Sequence, residues 1–208
     1  MINSLLDTVL DRTVVAGYTN VGYRIRSRRW SSWDLPRMDG KVVLVTGASS
    51  GLGLAAAEGF ARLGATVWLL VGSEERGEQA RAKIVERSGN GDIRVGLCDL
   101  SRLESVRQFA GRFADRVSRL DVLVNSAGVM TDESAVSADG IELTLATNVV
   151  GPFLLTDLLF PLLENSAPAR IVNVSPGGMD TQKINVDDKA STDGSTGPRC
   201  TRGPSVRR

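Results

Sequence analysis

Short apolar segments alternate with amphipathic ones between residues 41 and 174, and the apolar segments are rich in β-branched side chains. Five have the length of buried strands, at 42–45, 66–71, 93–98, 121–124 and 171–174. The segments between them have helical spacing, at 51–63, 74–88, about 101–118 and 138–164, the last with a break near Gly151-Pro152. Ser101 with Glu104 predicts a capping box for the third helix. The order βαβαβαβαβ predicts an α/β fold with a doubly wound parallel sheet and helices on both faces.

The composition changes on either side of this region. We predict that residues 1–39 form a leader to the domain. It begins with a short amphipathic helix, indicated by the helical spacing of Leu5, Leu6, Val9 and Leu10. A basic cluster follows beside two tryptophans: Arg24, Arg26, Arg28 and Arg29, with Trp30 and Trp33. The leader either packs its tryptophans on the domain or makes weak peripheral contact with an anionic membrane surface. Residues 40–188 are predicted to form the domain. Residues 189–208 have almost no apolar side chains and predict a disordered basic tail.

Composition argues against several classes of function. The 25 basic and 24 acidic residues give no sign of a nucleic-acid partner. Histidine is absent, which removes Ser-His catalysis and His metal ligands. The two cysteines, Cys98 and Cys200, cannot build a disulfide scaffold or a four-cysteine zinc site, so no metal site is predicted. No apolar run approaches the roughly 18 residues of a membrane-spanning helix. We therefore expect a cytoplasmic protein, or one at the membrane periphery through its leader.

A glycine-rich loop, residues 46–53, joins the first predicted strand to the first predicted helix. Its glycines allow a sharp turn and a close approach to a pyrophosphate, and the helix N-terminus presents free N–H groups and a partial positive charge. A tight turn without a ligand is the alternative, but the position between a buried strand and an amphipathic helix favours a nucleotide. The predicted cofactor-binding residues in this loop are Gly47, Ser49, Ser50, Gly51, Leu52 and Gly53.

The spacing Gly-x-x-x-Gly-x-Gly resembles the loop of the short-chain dehydrogenase/reductase family. Three further elements follow in the family's order: Asp99-Leu100, Asn125-Ser126-Ala127-Gly128 and Thr147-Asn148-Val149. The resemblance covers residues 40 to about 188. Residues 174–179 with Gln182, Lys183 and Asn185, and Gly22-Tyr23 in the leader, are similar to one branch of the family.

The resemblance implies a Rossmann-like sheet with the strand order 3-2-1-4-5. It also implies NAD or NADP as the cofactor and hydride transfer to or from a small-molecule carbonyl or alcohol. By the resemblance, Asp99 with Leu100 contacts the adenine. The element containing Asn125, Ala127 and Gly128 lies beside the ribose, and Asn148 is a structural and proton-relay residue.

The cofactor preference stays open. At the end of the second strand an acid would bind a ribose 2′-hydroxyl and a base would hold a 2′-phosphate. The sequence has Gly72 there. Arg76, four residues later, is either a phosphate ligand or a surface charge.

The family's catalytic pair is a Tyr-x-x-x-Lys on the helix after the fifth strand, where the Lys lowers the Tyr pKa from about 10 toward neutrality. No tyrosine follows Tyr23, and neither Lys183 nor Lys189 has a tyrosine four residues before it. Family members commonly have Ser-Ser after the fifth strand, and here the second position is Pro176. Ser175 is a candidate catalytic residue, or it only caps the strand end. We therefore expect little or no oxidoreductase activity from these residues.

Three hypotheses follow. The first is an active oxidoreductase that takes its proton from another residue or a partner chain. The second is a non-catalytic dinucleotide-binding module, and the third is an interaction protein that uses an open apolar edge at the fifth strand.

Because the family's sheet continues with a helix and two more strands, we expect a C-terminally truncated fold. The Arg, Gly and Pro after Gly194 are typical of GC-rich DNA read out of frame, which suggests a frameshifted gene remnant. Substrate and oligomeric state stay open.

Overall fold

Five parallel strands form one sheet in the order β3-β2-β1-β4-β5. The computed structural model describes residues 35–131 and 135–175. The strands are β1 (Val42–Thr46), β2 (Thr66–Val71), β3 (Ile93–Leu97), β4 (Val122–Asn125) and β5 (Arg170–Asn173). This confirms the predicted α/β class and the strand order. The predictions for the leader before residue 35, for Pro176 and for the tail lie outside the described residues.

Three helices follow the first three strands: α1 (Gly51–Arg62), α2 (Glu74–Ser88) and α3 (Leu103–Ala114). The fourth helical region runs without interruption through α4 (Leu143–Leu145), a π-helical turn (Ala146–Val150) and α5 (Gly151–Glu164). All of the strands and helices predicted between residues 41 and 174 are therefore present, with boundaries that differ by a few residues.

The alternation of side chains along the strands builds two cores. On one face Val43 and Val45 of β1 pack in a cluster that contains Ala57 of α1 and Ile84 of α2. On the other face Leu44 packs in a cluster with side chains of α3 and α5, among them Phe109, Phe113, Leu155 and Leu159. Successive strand residues point to opposite faces, so a run of apolar residues needs helices on both sides.

The predicted capping box at the start of α3 is wrong. Arg102 is the N-cap residue, and its side chain makes no capping hydrogen bond. Ser101 instead donates from its backbone N–H and its hydroxyl to Oδ1 of Asp99, at 3.0 and 2.7 Å. The backbone N–H of Leu103 donates to Oδ2 of Asp139, 2.8 Å away. The Ser101 hydroxyl thus binds the carboxylate of Asp99 and does not accept a hydrogen bond from a backbone N–H group of α3, as a capping box requires.

The fourth helical region starts later than predicted. Residues 137–142 form a turn, with the N–H of Ser137 bonded to the carbonyl of Ile141, and Glu142 caps the helix by accepting from the N–H groups of Thr144 and Leu145. The break expected near Gly151-Pro152 is instead a π-helical turn just before it. Pro152 has no N–H to donate, and the wider turn lets the helix continue past it.

One helix is nonetheless apolar on average over membrane-spanning length, although polar residues interrupt its apolar runs. Among the described residues, Leu143–Glu164 is long and apolar enough to span a bilayer, with a mean hydropathy of 1.5 in its most apolar window. Length and composition alone support this. Leu155, Leu159 and Leu163 pack against the sheet, as the buried face of a core helix does.

Asp121, just before β4, fastens the amino ends of the strands. Its Oδ2 accepts from the backbone N–H of Val42 and from Nε of Arg119, both at 2.9 Å. Its Oδ1 lies 2.6 Å from Nη2 of Arg119 and 3.0 Å from Nζ of Lys41. Burial alone raises the pKa of the carboxyl group, but the hydrogen bonds from Arg119, Val42 and Lys41 outweigh it, and the pKa lies below its ordinary value.

Candidate functional site

A cavity of about 480 Å³ lies at the carboxyl ends of the strands. Its walls come from the end of β2, from the segments that follow each of the five strands, and from one residue of the π-helical turn. Ligand sites in open parallel sheets lie at this end, outside the strands where the order reverses. The lining residues are Gly47, Ser49, Ser50, Gly51, Leu52, Gly53, Leu70, Val71, Gly72, Arg76, Cys98, Asp99, Leu100, Ser126, Ala127, Gly128, Val129, Thr147 and Val174.

The glycine-rich loop folds closely upon itself at the start of α1. A Cβ on Gly53 would lie 2.5 Å from the carbonyl oxygen of Gly47, and one on Gly47 would lie 2.8 Å from Cα of Ala127. Gly47 also has a positive φ of 66°. Glycine at these two positions lets the loop, α1 and the chain after β4 approach one another.

Gly51 serves a different purpose. Its φ is +56°, and a Cβ there would meet nothing within 4 Å. The side chain of Ser50 makes no capping hydrogen bond to α1, so it does not occupy the N–H groups at the helix start. The loop therefore leaves an open cradle of backbone N–H groups at a helix N-terminus, which fits a pyrophosphate.

Thr46 joins this loop to the chain after β4. Its buried Oγ1 accepts hydrogen bonds from the N–H groups of Ser126 and Ala127, both at 2.9 Å. Ser126, Ala127 and Gly128 line the cavity opposite the glycine-rich loop. The two predicted cofactor-binding segments are thus held face to face.

Asp99 and Leu100, the predicted adenine contacts, line the cavity at the end of β3. Oδ1 of Asp99 accepts hydrogen bonds from the N–H and the hydroxyl of Ser101. The backbone N–H of Asp99 donates to Oγ of Ser105 at 3.0 Å. Cys98, which the sequence analysis did not select, lies beside them in the cavity wall. Burial is the main cause that raises the pKa of its thiol from 9.0 to about 11, so the thiol stays protonated at neutral pH.

Asn125 lies beneath the cavity and is not part of its wall. It is 7% exposed, and its Nδ2 donates to Oδ1 of Asn173 and to Oγ1 of Thr156, at 2.9 and 3.2 Å. Its Oδ1 is buried without a hydrogen-bond partner among the described residues. In this arrangement Asn125 positions β4 against β5 and α5.

Asn148 is also outside the cavity wall, in the π-helical turn. Its Oδ1 accepts from the N–H of Val129 and its Nδ2 donates to the carbonyl of Val129, each at 2.8 Å. Val129 lines the cavity, and so does Thr147, the residue before Asn148. Asn148 thus joins the π-helical turn to the chain after β4, and its family role, including proton relay, stays a prediction.

Ser175 follows β5 directly, next to Val174 in the cavity wall, and is itself outside that wall. A catalytic role for Ser175 stays a prediction. The sequence analysis also missed Val129, Thr147 and Val174. Each lies at or near the carboxyl end of a strand or beside a predicted site residue, and that position is the signal that could have identified it.

A sequence profile of the short chain dehydrogenase family matches residues 41–185. The chain is 39% identical over 175 residues to dehydrogenase/reductase SDR family member 12 of Bos taurus, covering 84% of this chain and 55% of that protein. This is the branch that residues 174–185 and the leader indicated. The chain is 44% identical over 139 residues to retinol dehydrogenase 11 of Homo sapiens, covering 67% and 44%. It thus spans about half the length of these curated relatives.

A comparison with solved structures also finds short chain dehydrogenases. A short chain dehydrogenase from Shigella flexneri 2a, crystallised in complex with NADP, matches with a TM-score of 0.60 and 31% sequence identity. The match covers 71% of this chain and 64% of the Shigella chain.

Proposed function

The chain belongs to the short chain dehydrogenase family, and we propose on this basis that it binds a nicotinamide dinucleotide in the cavity at the carboxyl ends of its strands. The observation that carries the proposal is the open space at Gly51, the first residue of α1. Gly51 has a positive φ, and a Cβ there would contact nothing within 4 Å. The solved relative in complex with NADP supports it.

Different segments of the cavity wall would hold different parts of the cofactor. The glycine-rich loop and the first N–H groups of α1 would hold the pyrophosphate. Asp99 and Leu100 would face the adenine, and the chain from Ser126 to Val129 would face the ribose and the nicotinamide half. When bound, the cofactor supplies a hydride for a carbonyl or accepts one from an alcohol. The protein must orient the dinucleotide and provide a proton at the substrate oxygen.

We propose that the 208 residues bind the dinucleotide with little turnover. General acid–base catalysis is typically worth about 10²–10⁴-fold in rate. The sequence carries tyrosine only at Tyr18 and Tyr23, and the position after Ser175 is Pro176, which has no hydroxyl. Nothing in the described cavity wall takes the place of a tyrosine phenol, since its hydroxyls belong to serine and threonine and its one thiol has a raised pKa.

Two experiments test the proposal. NADH and NADPH are titrated into the purified chain by fluorescence, and reduction of a carbonyl is assayed with all-trans-retinal, chosen because one relative is named a retinol dehydrogenase. Binding without turnover is the expected result. Turnover at rates usual for enzymes, with kcat near 10 s⁻¹, would show an active oxidoreductase and contradict the second half of the proposal.

A matched pair of variants locates the cofactor. Gly51→Val should abolish binding, because the branched side chain is strained at positive φ and fills the cradle. Gly59→Val is the control, since Gly59 lies in the same helix and a Cβ there also meets nothing within 4 Å. Unchanged affinity in Gly51→Val would show that the dinucleotide binds elsewhere.

An interaction module is the second candidate. β5 is the edge strand of the described sheet, and Ile171 and Val172 are 41% and 44% exposed. Exposed apolar strands at a sheet edge favour pairing with another chain. Failure to bind either dinucleotide, with a folded circular dichroism spectrum, would favour this function over the first.

A further inference from the structure

The segment between β3 and α3, residues 98–102, forms one side of the cavity, and we call it the adenine wall because it would face the adenine of the proposed cofactor. Asp99 and Leu100 line the cavity, and α3 begins soon after them, at Leu103. The backbone N–H of Asp99 donates to Oγ of Ser105 in the first turn of α3, at 3.0 Å. The position of the adenine wall therefore depends on how firmly that first turn is held.

The first turn of α3 takes its cap from a distant part of the chain. The first N–H groups of a helix have no partner within the helix. The side chain of Arg102, the N-cap residue, makes no capping hydrogen bond, and the hydroxyl of Ser101 is bonded to Asp99. The N–H of Leu103 instead donates to Oδ2 of Asp139, which lies 36 positions later in the sequence, at 2.8 Å. Asp139 therefore supplies the acceptor, and it places a negative charge at the positive end of the helix dipole.

The turn that carries Asp139 is closed by its own hydrogen bonds. The N–H of Ser137 donates to the carbonyl of Ile141 at 2.7 Å, and the N–H of Gly140 donates to the carbonyl of Ser137 at 3.0 Å. Gly140 has a positive φ of 75°, which glycine adopts without strain. Asp139 itself is exposed and does not line the cavity. Any effect of this residue on a bound nucleotide must therefore act through α3.

The other end of the adenine wall is held by the helical region that follows this turn. The carbonyl of Leu100 lies so close to Gly151 of α5 that a Cβ on Gly151 would collide with it. Leu100 is also buried, in the cluster that packs between the sheet, α3 and α5. The wall is thus fixed at Leu100 by packing against α5, and at Leu103 by the hydrogen bond to Asp139. Without that hydrogen bond, the part free to move would be the first turn of α3, with the N–H of Asp99 attached to it.

We propose that Asp139 is a positioning residue for the adenosine half of the dinucleotide. Its carboxylate holds the first turn of α3 and, through Ser105, the backbone of Asp99. The inference rests on the proposed function, since it concerns the same cavity.

The test compares nucleotide affinities of variants of the full chain by isothermal titration calorimetry. Asp139→Ala should weaken the binding of NADH and of 5′-ADP by the same factor, about 3- to 10-fold, because both ligands contain the adenosine half and the loss concerns that half alone. Asp139→Asn keeps an oxygen that can accept from the N–H of Leu103, and it should retain most of the affinity. Hydrogen exchange followed by mass spectrometry should show faster exchange in residues 99–106 of Asp139→Ala.

Asn90→Ala is the matched control for a loss of stability without a loss of positioning. Nδ2 of Asn90 donates to the carbonyls of Ala61 and Ala65, at 3.0 and 2.9 Å, near the amino end of β3 and away from the cavity. This variant should be less stable to urea than the original protein, but it should bind NADH and 5′-ADP with unchanged affinity.

Two kinds of result would overturn the inference and leave the proposed function standing. One is an Asp139→Ala protein with unchanged affinity for both ligands or with unchanged exchange in residues 99–106. The other is an Asn90→Ala protein that loses as much affinity as Asp139→Ala. Failure of the unaltered chain to bind NADH, NADPH and 5′-ADP would overturn the proposed function and this inference with it.

Discussion

Thr46 and Ala127 are 81 positions apart in the sequence and are joined by one hydrogen bond, from the N–H of Ala127 to Oγ1 of Thr46, at 2.9 Å. The same oxygen accepts from the N–H of Ser126. A threonine at the end of β1 therefore sets the distance between the two loops that face each other across the cavity.

Thr46→Val should destabilise the fold by about 1–3 kcal/mol, because a side chain of nearly the same shape leaves two N–H groups without their acceptor. Thr46→Ser keeps the oxygen and should cost less. Urea unfolding followed by circular dichroism measures both. A Thr46→Val protein as stable as the original would show that the two hydrogen bonds contribute no stability at this position.

Gly151→Ala should destabilise the fold by about 1–3 kcal/mol, because the new Cβ would lie 2.2 Å from the carbonyl oxygen of Leu100 and would force backbone apart. Gly111→Ala in α3 is the control, since a Cβ there meets nothing within 4 Å. That change should stabilise the helix by about 0.5–1 kcal/mol. Thermal unfolding of both variants checks the pair; a Gly151→Ala protein as stable as the original would contradict the close approach.

Asp121 should make stability depend on acid. Its folded pKa is lowered, so its contribution is present above the ordinary aspartate pKa and is lost as the pH falls through the folded value. Asp121→Asn should cost about 1–3 kcal/mol at pH 7, because the hydrogen bonds from Arg119 and Lys41 lose their charged acceptor.

The difference in unfolding free energy between Asp121→Asn and the original protein should shrink as the pH falls below about 4. Urea unfolding at pH 7, 5 and 3 measures it. Glu78→Gln, which breaks an exposed pair with Arg81, should have an effect below about 1 kcal/mol at each pH. A constant difference across the range for Asp121→Asn would show that the charge of Asp121 contributes no stability.

Cys98 should react slowly with iodoacetamide in the folded protein. A shift of its pKa from 9.0 to about 11 leaves about 100-fold less thiolate at neutral pH. In a Cys200→Ser background, where Cys98 is the remaining cysteine, the folded rate should keep rising above pH 9, whereas the rate in urea should level off there. Mass spectrometry measures the alkylation; a folded rate equal to the rate in urea would mean that the thiol is exposed.

The sequence predicted the fold well because the strands are buried on both faces and are therefore continuously apolar. Residues 42–45 and 66–71 show this pattern, and the glycines of the loop mark the turn that follows. The capping box and the start of the fourth helical region were wrong because Asp99 and Glu142 form local hydrogen bonds that periodicity does not report.

For the site, sequence spacing identified which loops meet, and it could not show how their side chains are used. Asn125 and Asn148 have the residue types of ligand contacts. The structure shows each of them holding protein groups, Asn173 and Thr156 in one case and the backbone of Val129 in the other. The sequence left Arg76 open between a phosphate ligand and a surface charge, and the structure adds that it lines the cavity.

The position of Asp121, which links the amino ends of β1 and β4, has a practical consequence for engineering this protein. The carboxylate lies at the amino ends of β1 and β4, and the cavity lies at the opposite ends of the same strands. Substitutions at well-separated positions without shared partners usually have additive effects. A thermostable derivative could therefore be selected by randomising the surroundings of Lys41 and Arg119, and nucleotide preference could be re-engineered afterwards at Gly72 and Arg76 without repeating the first selection.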